Sequence, residues 1–586
     1  MNMWKSFATT AVLFAALLQH LCVAIDERRS SPVAYCSFGA LRGITMKSRS
    51  GRDFDAYLGI KYGLARRFEH PEPVREEWDG VRNAVADGDS CPQSSISISG
   101  KISEDCLFLN VYTPKRPTKG ENHGRLPVII YIHPGAYATW SGQSSEWGAH
   151  YWMDKDVVLV TINYRLGSFG FLSTGDSVVP GNNGLKDQVL AMQWVQANIE
   201  CFGGDKNLVT LLGYSAGGAS VNFHMASKLS QHLFHRGISM GGTASCGWAM
   251  QKNQREMLRK QAKLLNCPYD EKATSKQIVD CLRRISTEEL AQSYNSLRDW
   301  AFNPIIPLTV VVEPKGSYKS HFLTEEPECI FQSGNFAHKP WITGTASNEM
   351  MNFAEVIVSN GDLVQEFGDY FNIIAPLAFS YDKGSILSAK KSKILKDFYF
   401  PNGCITNNSL QYVSDIYTDG TFLYCADHSV KLISSKNKFP TYYYHFDFLG
   451  KYSGMTTYPG YCKKDGPVHH DELTLLFYRK DVSPFLNDSS VDTVISKKLV
   501  ELFTNFAITG NPTPSHQSDG DSLIDFHWYP HTHKDLYYLD MREKFVMKKG
   551  YRQKRAALWD QIFCKDENHP TCDGPAMKYQ CQRKEK

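Results

Sequence analysis

Short apolar runs rich in β-branched residues recur along the chain: VIIYI at 128–132, VVLVTINYR at 157–165, LVTLLG at 208–213 and WITGTAS at 341–347. Each reads as a buried strand, apolar on both faces of its pleat. Between the second and third, GLKDQVLAMQWVQANIECFGG places Val189, Met192 and Val195 at helical spacing and stops at a double glycine. TYYYHFDF and DLYYLDM predict further strands. This alternation argues an α/β fold with a large, mostly parallel sheet flanked by helices. There is no internal repeat and no low-complexity block, and PKRPTKGENHGR and NPTPSHQSDGDS read as surface loops rather than linkers. One domain over 25–586 is therefore expected. The first strand breaks into HPGAY, a turn that either reverses the chain or aims backbone N–H groups at a negative charge.

The N-terminus departs from this pattern. Lys5 precedes FATTAVLFAALL and then Cys22-Val23-Ala24, the arrangement of a secretory signal peptide over 1–24. The run is shorter than the roughly 20 residues that span a bilayer. A secreted, extracellular chain without a membrane anchor is expected. Lys+Arg 64 against Asp+Glu 61 gives +3, too little to attract nucleic acid. Loss of Cys22 leaves fourteen of the fifteen cysteines, which in an oxidising compartment form disulfides more often than metal sites. Cys91 with Cys106, and Cys267 with Cys281, would close short loops. Cys564, Cys572 and Cys581 suggest a pinned C-terminal segment, and Cys201, inside a hydrophobic helical stretch, reads as a buried free thiol. Sequons at Asn407 and Asn487 fit a glycosylated surface. The histidines of HWYPHTH (His527, His531, His533) lie in a turn-rich segment and read as a surface loop rather than a metal site.

The candidate chemistry follows the strand LVTLLG, where GYSAGG places Ser215 between Gly213 and Gly217 ahead of an apolar helical stretch. A nucleophile on a sharp strand-to-helix turn leaves no room for side chains two positions to either side. It also gains a helix N-terminus and the N–H of Ala216. Serine needs a base and an orienting acid, in this architecture in the order Ser, acid, His. Glu349 in GTASNEMMNF, just past a predicted strand, and His469 in GPVHHDELTLLF are the candidates, with His470 a rival base.

EDCLFLNVYTP at 104–114, NYRLGSFGFLS at 163–173, GNNGLKDQVLAMQWVQANI at 181–199 and FGGDKNLVTLLGYSAGGASV at 202–221 add to these two motifs and span nearly the whole mature chain. In these six ordered motifs the chain resembles the type-B carboxylesterase and cholinesterase-like family of α/β-hydrolases, and the secreted insect carboxylesterases most. The resemblance implies Ser215 as nucleophile, Glu349 as acid and His469 as base, since G-x-x-H-x-x-E fits Gly466, His469 and Glu472. It implies bonds Cys91 to Cys106 and Cys267 to Cys281. HPGAY falls on a glycine-rich turn whose second and third small residues donate to an oxyanion, here Gly135 and Ala136, with Ala216 as third donor. Pro134, which has no N–H, falls where no donor is needed. Met350 stands where a glycine is common. The function implied is hydrolysis of small carboxylic esters through an acyl-serine, with no metal or organic cofactor. CPQSSISISGKISEDC lacks the tryptophan by which the family's cholinesterases hold choline, and Tyr214 stands where juvenile-hormone esterases have Gln. The competing class is a secreted binding or sequestering protein with weak or no turnover.

Overall fold

The computed structural model describes residues 31–94, 100–116, 124–250, 252–314, 320–381, 385–453, 466–514 and 522–563. Its main sheet has eleven strands: β1 (Ile44–Lys47), β2 (Asp53–Lys61), β3 (Phe108–Thr113), β4 (Leu126–Ile132), β5 (Val158–Ile162), β6 (Gly204–Tyr214), β7 (Arg236–Met240), β8 (Trp341–Ala346), β9 (Thr441–Phe446), β10 (Tyr537–Met541) and β11 (Phe545–Lys549). Across the sheet they run β11-β10-β9-β8-β7-β6-β4-β5-β3-β2-β1. β4 to β10 are parallel to their neighbours among themselves, while β1 to β3 and β11 make antiparallel edges. Every apolar run singled out in the sequence lies on one of these strands.

The continuous apolar character of β4 has a direct cause. Val128, Ile130 and Ile132 enter one core, Ile129 and Tyr131 the other, and all five are fully buried. Helices α1 (Asn183–Asn198) and α2 (Ala216–Ala226) cover the first face with Met192, Val195 and Val221. α3 (Leu410–Thr418), a π-helical turn at Asp419–Leu423 and α4 (Tyr424–Ser434) join the same core through Ile416, Phe422 and Val430. After the short α5 (Asp471–Leu476), α6 (Val491–Thr509) covers the second face with Leu499, Leu502, Phe503 and Phe506. Each of these buried side chains contributes about 1.5–3 kcal/mol, so packing rather than helix propensity holds α6 in place. Its ends are cut by Ser490, whose Oγ accepts from the Thr493 N–H at 3.3 Å, and by Gly510 at φ 78.

Disulfides join Cys36 to Cys201, Cys91 to Cys106, Cys246 to Cys425 and Cys267 to Cys281. Cys201 is thus no free thiol, contrary to the sequence reading. The helix stops at Asn198, a 3-10 turn over Ile199–Phe202 follows, and Gly203 at φ 86 ends it. That turn leaves Cys201 half-buried against Cys36 instead of inside a helix. The signal-peptide segment and Cys564, Cys572 and Cys581 lie outside the described residues. Among the described residues no helix is long and apolar enough to cross a membrane.

Candidate active site

β6 ends at Tyr214, α2 begins at Ala216, and Ser215 between them takes φ 56, ψ −120. An L-residue adopts this region only where its surroundings impose it. Here the Ser215 N–H donates to Met240 O on β7 at 2.8 Å, and Ser215 O accepts from the Ala219 N–H at 2.8 Å. Backbones crowd the turn from both sides. A Cβ on Gly213 would lie 2.2 Å from Gly217 O, and one on Gly217 would lie 2.1 Å from Ile132 O at the end of β4. The two glycines of G-x-S-x-G are therefore demanded by backbone approach, and the serine is what the turn presents.

Glu349 follows β8 and His469 precedes α5, and their loops pair backbone to backbone. The Asn348 N–H donates to Pro467 O at 3.1 Å and the His469 N–H to Glu349 O at 3.3 Å. Side chains complete the link: His469 Nδ1–H donates to Glu349 Oε2 at 2.5 Å, and the Ala346 N–H donates to Glu349 Oε1 at 2.8 Å. Glu349 is wholly buried and His469 is 6 % exposed. With Nδ1–H committed to the carboxylate, the neutral imidazole keeps its lone pair on Nε2. The ring packs against Tyr214, beside Ser215, at 4.9 Å between centroids and against Phe422 of the π turn at 4.6 Å. Met350 takes φ −114, a right-handed value that needs no glycine, and its side chain is buried in the core. Among the described residues no carboxylate bonds to the ring of His470, the rival base, and neither of its ring nitrogens has a hydrogen-bond partner. Burial, then His469 and Arg479, hold its imidazole well below its usual pKa.

The HPGAY turn winds left-handed, with Gly135 at φ 106, Ala136 at φ 55 and Tyr137 at φ 54. Gly135 O accepts from the N–H groups of Ala138 and Thr139 at 2.8 and 2.9 Å, while those of Gly135, Ala136 and Ala216 have no acceptor among the described residues. His133 anchors the entry to the turn. Its ring stacks on Tyr164 at 4.3 Å and its Nδ1–H donates to Pro134 O at 2.8 Å. Burial pushes its pKa down to about 3, so it enters the core neutral.

Three features escaped the sequence reading. Tyr214 OH donates to Glu472 Oε2 at 2.7 Å, a bond between β6 and α5 whose only sequence signal is the place of each residue in its motif. Cys246 and Cys425, 179 residues apart, tie the segment after β7 to α4. Third, His445 joins Asp540 (Nδ1 to Oδ1, 2.8 Å) and Ser347 (Nε2 to Oγ, 3.0 Å), a second serine–histidine–aspartate chain. Ser347 Oγ there also donates to Asp447 and its N–H to Phe446 O, so this chain braces the loop that carries Glu349. Asn407 and Asn487 are exposed. So are His527 and His533, whereas His531 is buried with its Nδ1–H on Tyr537 O, unlike a surface-loop residue.

This sheet order, with a serine on a tight turn after a central parallel strand, is that of an α/β-hydrolase. The chain belongs to the carboxylesterase family, whose sequence model matches residues 30–559, and it is a carboxylesterase. It is 35% identical to venom carboxylesterase-6 of Apis mellifera over 81% of this chain and 85% of that protein. It is 36% identical to juvenile hormone esterase of Tribolium castaneum over 84% of this chain and 86% of that one. The crystal structure of juvenile hormone esterase from Manduca sexta, with OTFP covalently attached, superposes with a TM-score of 0.79 at 25% identity, covering 91% of this chain and 100% of that one.

Proposed function

We propose that this carboxylesterase works through an acyl-serine, with Ser215 as nucleophile, His469 as base and Glu349 as orienting acid. The observation that carries the reading is the buried Glu349 carboxylate on His469 Nδ1, which turns the lone pair of Nε2 to proton transfer. His469 takes the Ser215 Oγ proton as oxygen attacks the ester carbonyl. The oxyanion of the tetrahedral intermediate lies against the N–H groups of Gly135, Ala136 and Ala216, which spend no bonds elsewhere in the described protein. His469 protonates the leaving alcohol, then deprotonates water, and the acyl group leaves Ser215 as a carboxylic acid. No step calls for a metal or an organic cofactor.

Phe422 beside His469, with Trp248 against Phe422 at 5.6 Å, gives the site an apolar aromatic wall. That wall suits small esters with an apolar acyl or alcohol group. The signal-like segment over 1–24 and the four disulfides among the described residues support secretion, and exposed Asn407 and Asn487 are the proposed glycan carriers. Hydrolysis of a short p-nitrophenyl ester, with organophosphate labelling of the serine, tests the mechanism. Ser215→Ala is expected to abolish labelling and to cut kcat on the order of 10^4-fold. A folded wild-type chain that neither turns over nor labels would leave the sequestering function in its place.

A further inference from the structure

We infer that Tyr214 is a positioning residue: its one hydroxyl ties the turn that carries Ser215 to the loop that carries His469, and so sets nucleophile and base relative to each other. The inference rests on the triad reading above. Tyr214 is the last residue of β6 and is fully buried. Its hydroxyl accepts from the His470 N–H at 2.9 Å and donates to Glu472 Oε2 at 2.7 Å. Both partners belong to the segment that starts α5, and the second oxygen of Glu472 accepts from Tyr444 OH on β9 at 3.2 Å.

The placement of these atoms gives the argument its force. Tyr214 shares a peptide bond with Ser215. The N–H it receives belongs to the peptide bond between His469 and His470. The tether is therefore one residue from each reacting side chain, and any drift of His469 away from Ser215 must stretch the 2.9 Å bond. The phenol ring closes the same space, 4.9 Å from the His469 ring and 5.1 Å from the His470 ring. His470 sits at φ 80, where a side chain is tolerated only under constraint, and its N–H is the group held. The turn itself does not need the hydroxyl, because backbone crowding at Gly213 and Gly217 already shapes it.

Glu472 serves this tether as the acceptor of the Tyr214 hydroxyl proton. Burial first, then the charge of Glu349, push its carboxyl up to about 8, and Asp471 adds to the shift. A glutamine, which keeps the acceptor oxygen, is thus a fair substitute near neutral pH, and a leucine is not.

The test uses the full chain and p-nitrophenyl acetate. Tyr214→Phe keeps the ring and loses both bonds; the expected result is a kcat lower by roughly 10- to 100-fold with KM within about twofold, the size of effect a small misplacement of a base produces. Glu472→Gln is expected to stay within about threefold of wild type, Glu472→Leu to fall with Tyr214→Phe, and the double variant Tyr214→Phe/Glu472→Leu to fall no further, because one interaction is being removed twice. Slower organophosphate labelling of Ser215 should accompany each loss. A Tyr214→Phe chain with wild-type kcat, alongside an inactive Ser215→Ala, would overturn the tether and leave the triad standing. Turnover surviving in Ser215→Ala would instead overturn the triad. Should Tyr214→Phe fail to fold, equal kcat values for Glu472→Gln and Glu472→Leu would overturn the tether from its other end.

Discussion

Gly217 shows how much of the site is decided by single atoms. A Cβ there would meet Ile132 O at 2.1 Å and Ile132 C at 2.9 Å, backbone that cannot rotate away. Gly217→Ala must push the Ser215 turn off β4, and the expected cost is on the order of 3 kcal/mol, as for overpacking elsewhere. We expect a lower melting temperature and a kcat reduced at least about 10-fold, since the serine moves with its turn. Gly361→Ala, whose Cβ meets nothing within 4 Å, is the matched control and should change neither quantity. The spacing G-x-S-x-G made this legible in the sequence, because the glycines and the serine are local. The backbone each glycine faces was not legible, since Ile132 lies 85 positions away and arrives through strand pairing. A still longer separation, 258 residues, concealed the bond from Tyr214 to Glu472, although both residues stood inside recognised motifs.

Elements fared differently according to whether their signal was local. The apolar runs at 128–132, 157–165, 208–213 and 341–347 lie on β4, β5, β6 and β8 because each fills two cores at once, a demand written into every residue of the run. The end of α1 was misjudged, since IECF continues an apolar helical look while the backbone tightens into a 3-10 turn ahead of Gly203. Cys201 was misread for that reason, and its partner Cys36 lies 165 residues earlier. The bond pins the hairpin Val33–Cys36 and Gly39–Arg42 to the start of β6. Ser215 is at the far end of that strand, which between Gly204 and Gly213 runs alongside β4 from Leu126 to Ile132, or about 20 Å at roughly 3.3 Å per residue. Cys36→Ser/Cys201→Ser is therefore expected to cost about 2–4 kcal/mol of stability with kcat unchanged. Thermal melts and steady-state kinetics on the same preparation check both halves; a fall in kcat would show that strain travels along β6 into the turn.

At the scale of the whole molecule, buried ionisable groups divide into two sets with opposite signs. His133 and His224 are fully buried and burial pushes each down to about 3, while His70 and His150 are pushed to about 4. Below pH 6.5 the unfolded chain binds protons that these folded imidazoles refuse, so stability is lost as pH falls. For His133 and His224 the loss amounts to about 2 kcal/mol each by pH 5. His428 acts the other way, because Glu328 outweighs its burial and holds it above its usual value. Glu472 and Glu146, raised by burial to about 8 and about 7, also oppose the acid loss, since folded carboxyls that keep their protons favour the folded state on acidification. Their contribution is lost as pH rises from the unfolded carboxyl range toward their folded values, so they dominate above the imidazoles' range and up to about pH 8, beyond which both states are ionised. The melting temperature should therefore peak near pH 6.5–7, fall clearly by pH 5 and decline gently toward pH 8. His224 is held by Gln188 and Ser230 through its two ring nitrogens. His224→Gln should flatten the acid limb between pH 6.5 and 5, whatever it does to the melting temperature at the peak. An acid limb equally steep in that variant would assign the lost stability to carboxylate pairs rather than to neutral imidazoles in the core.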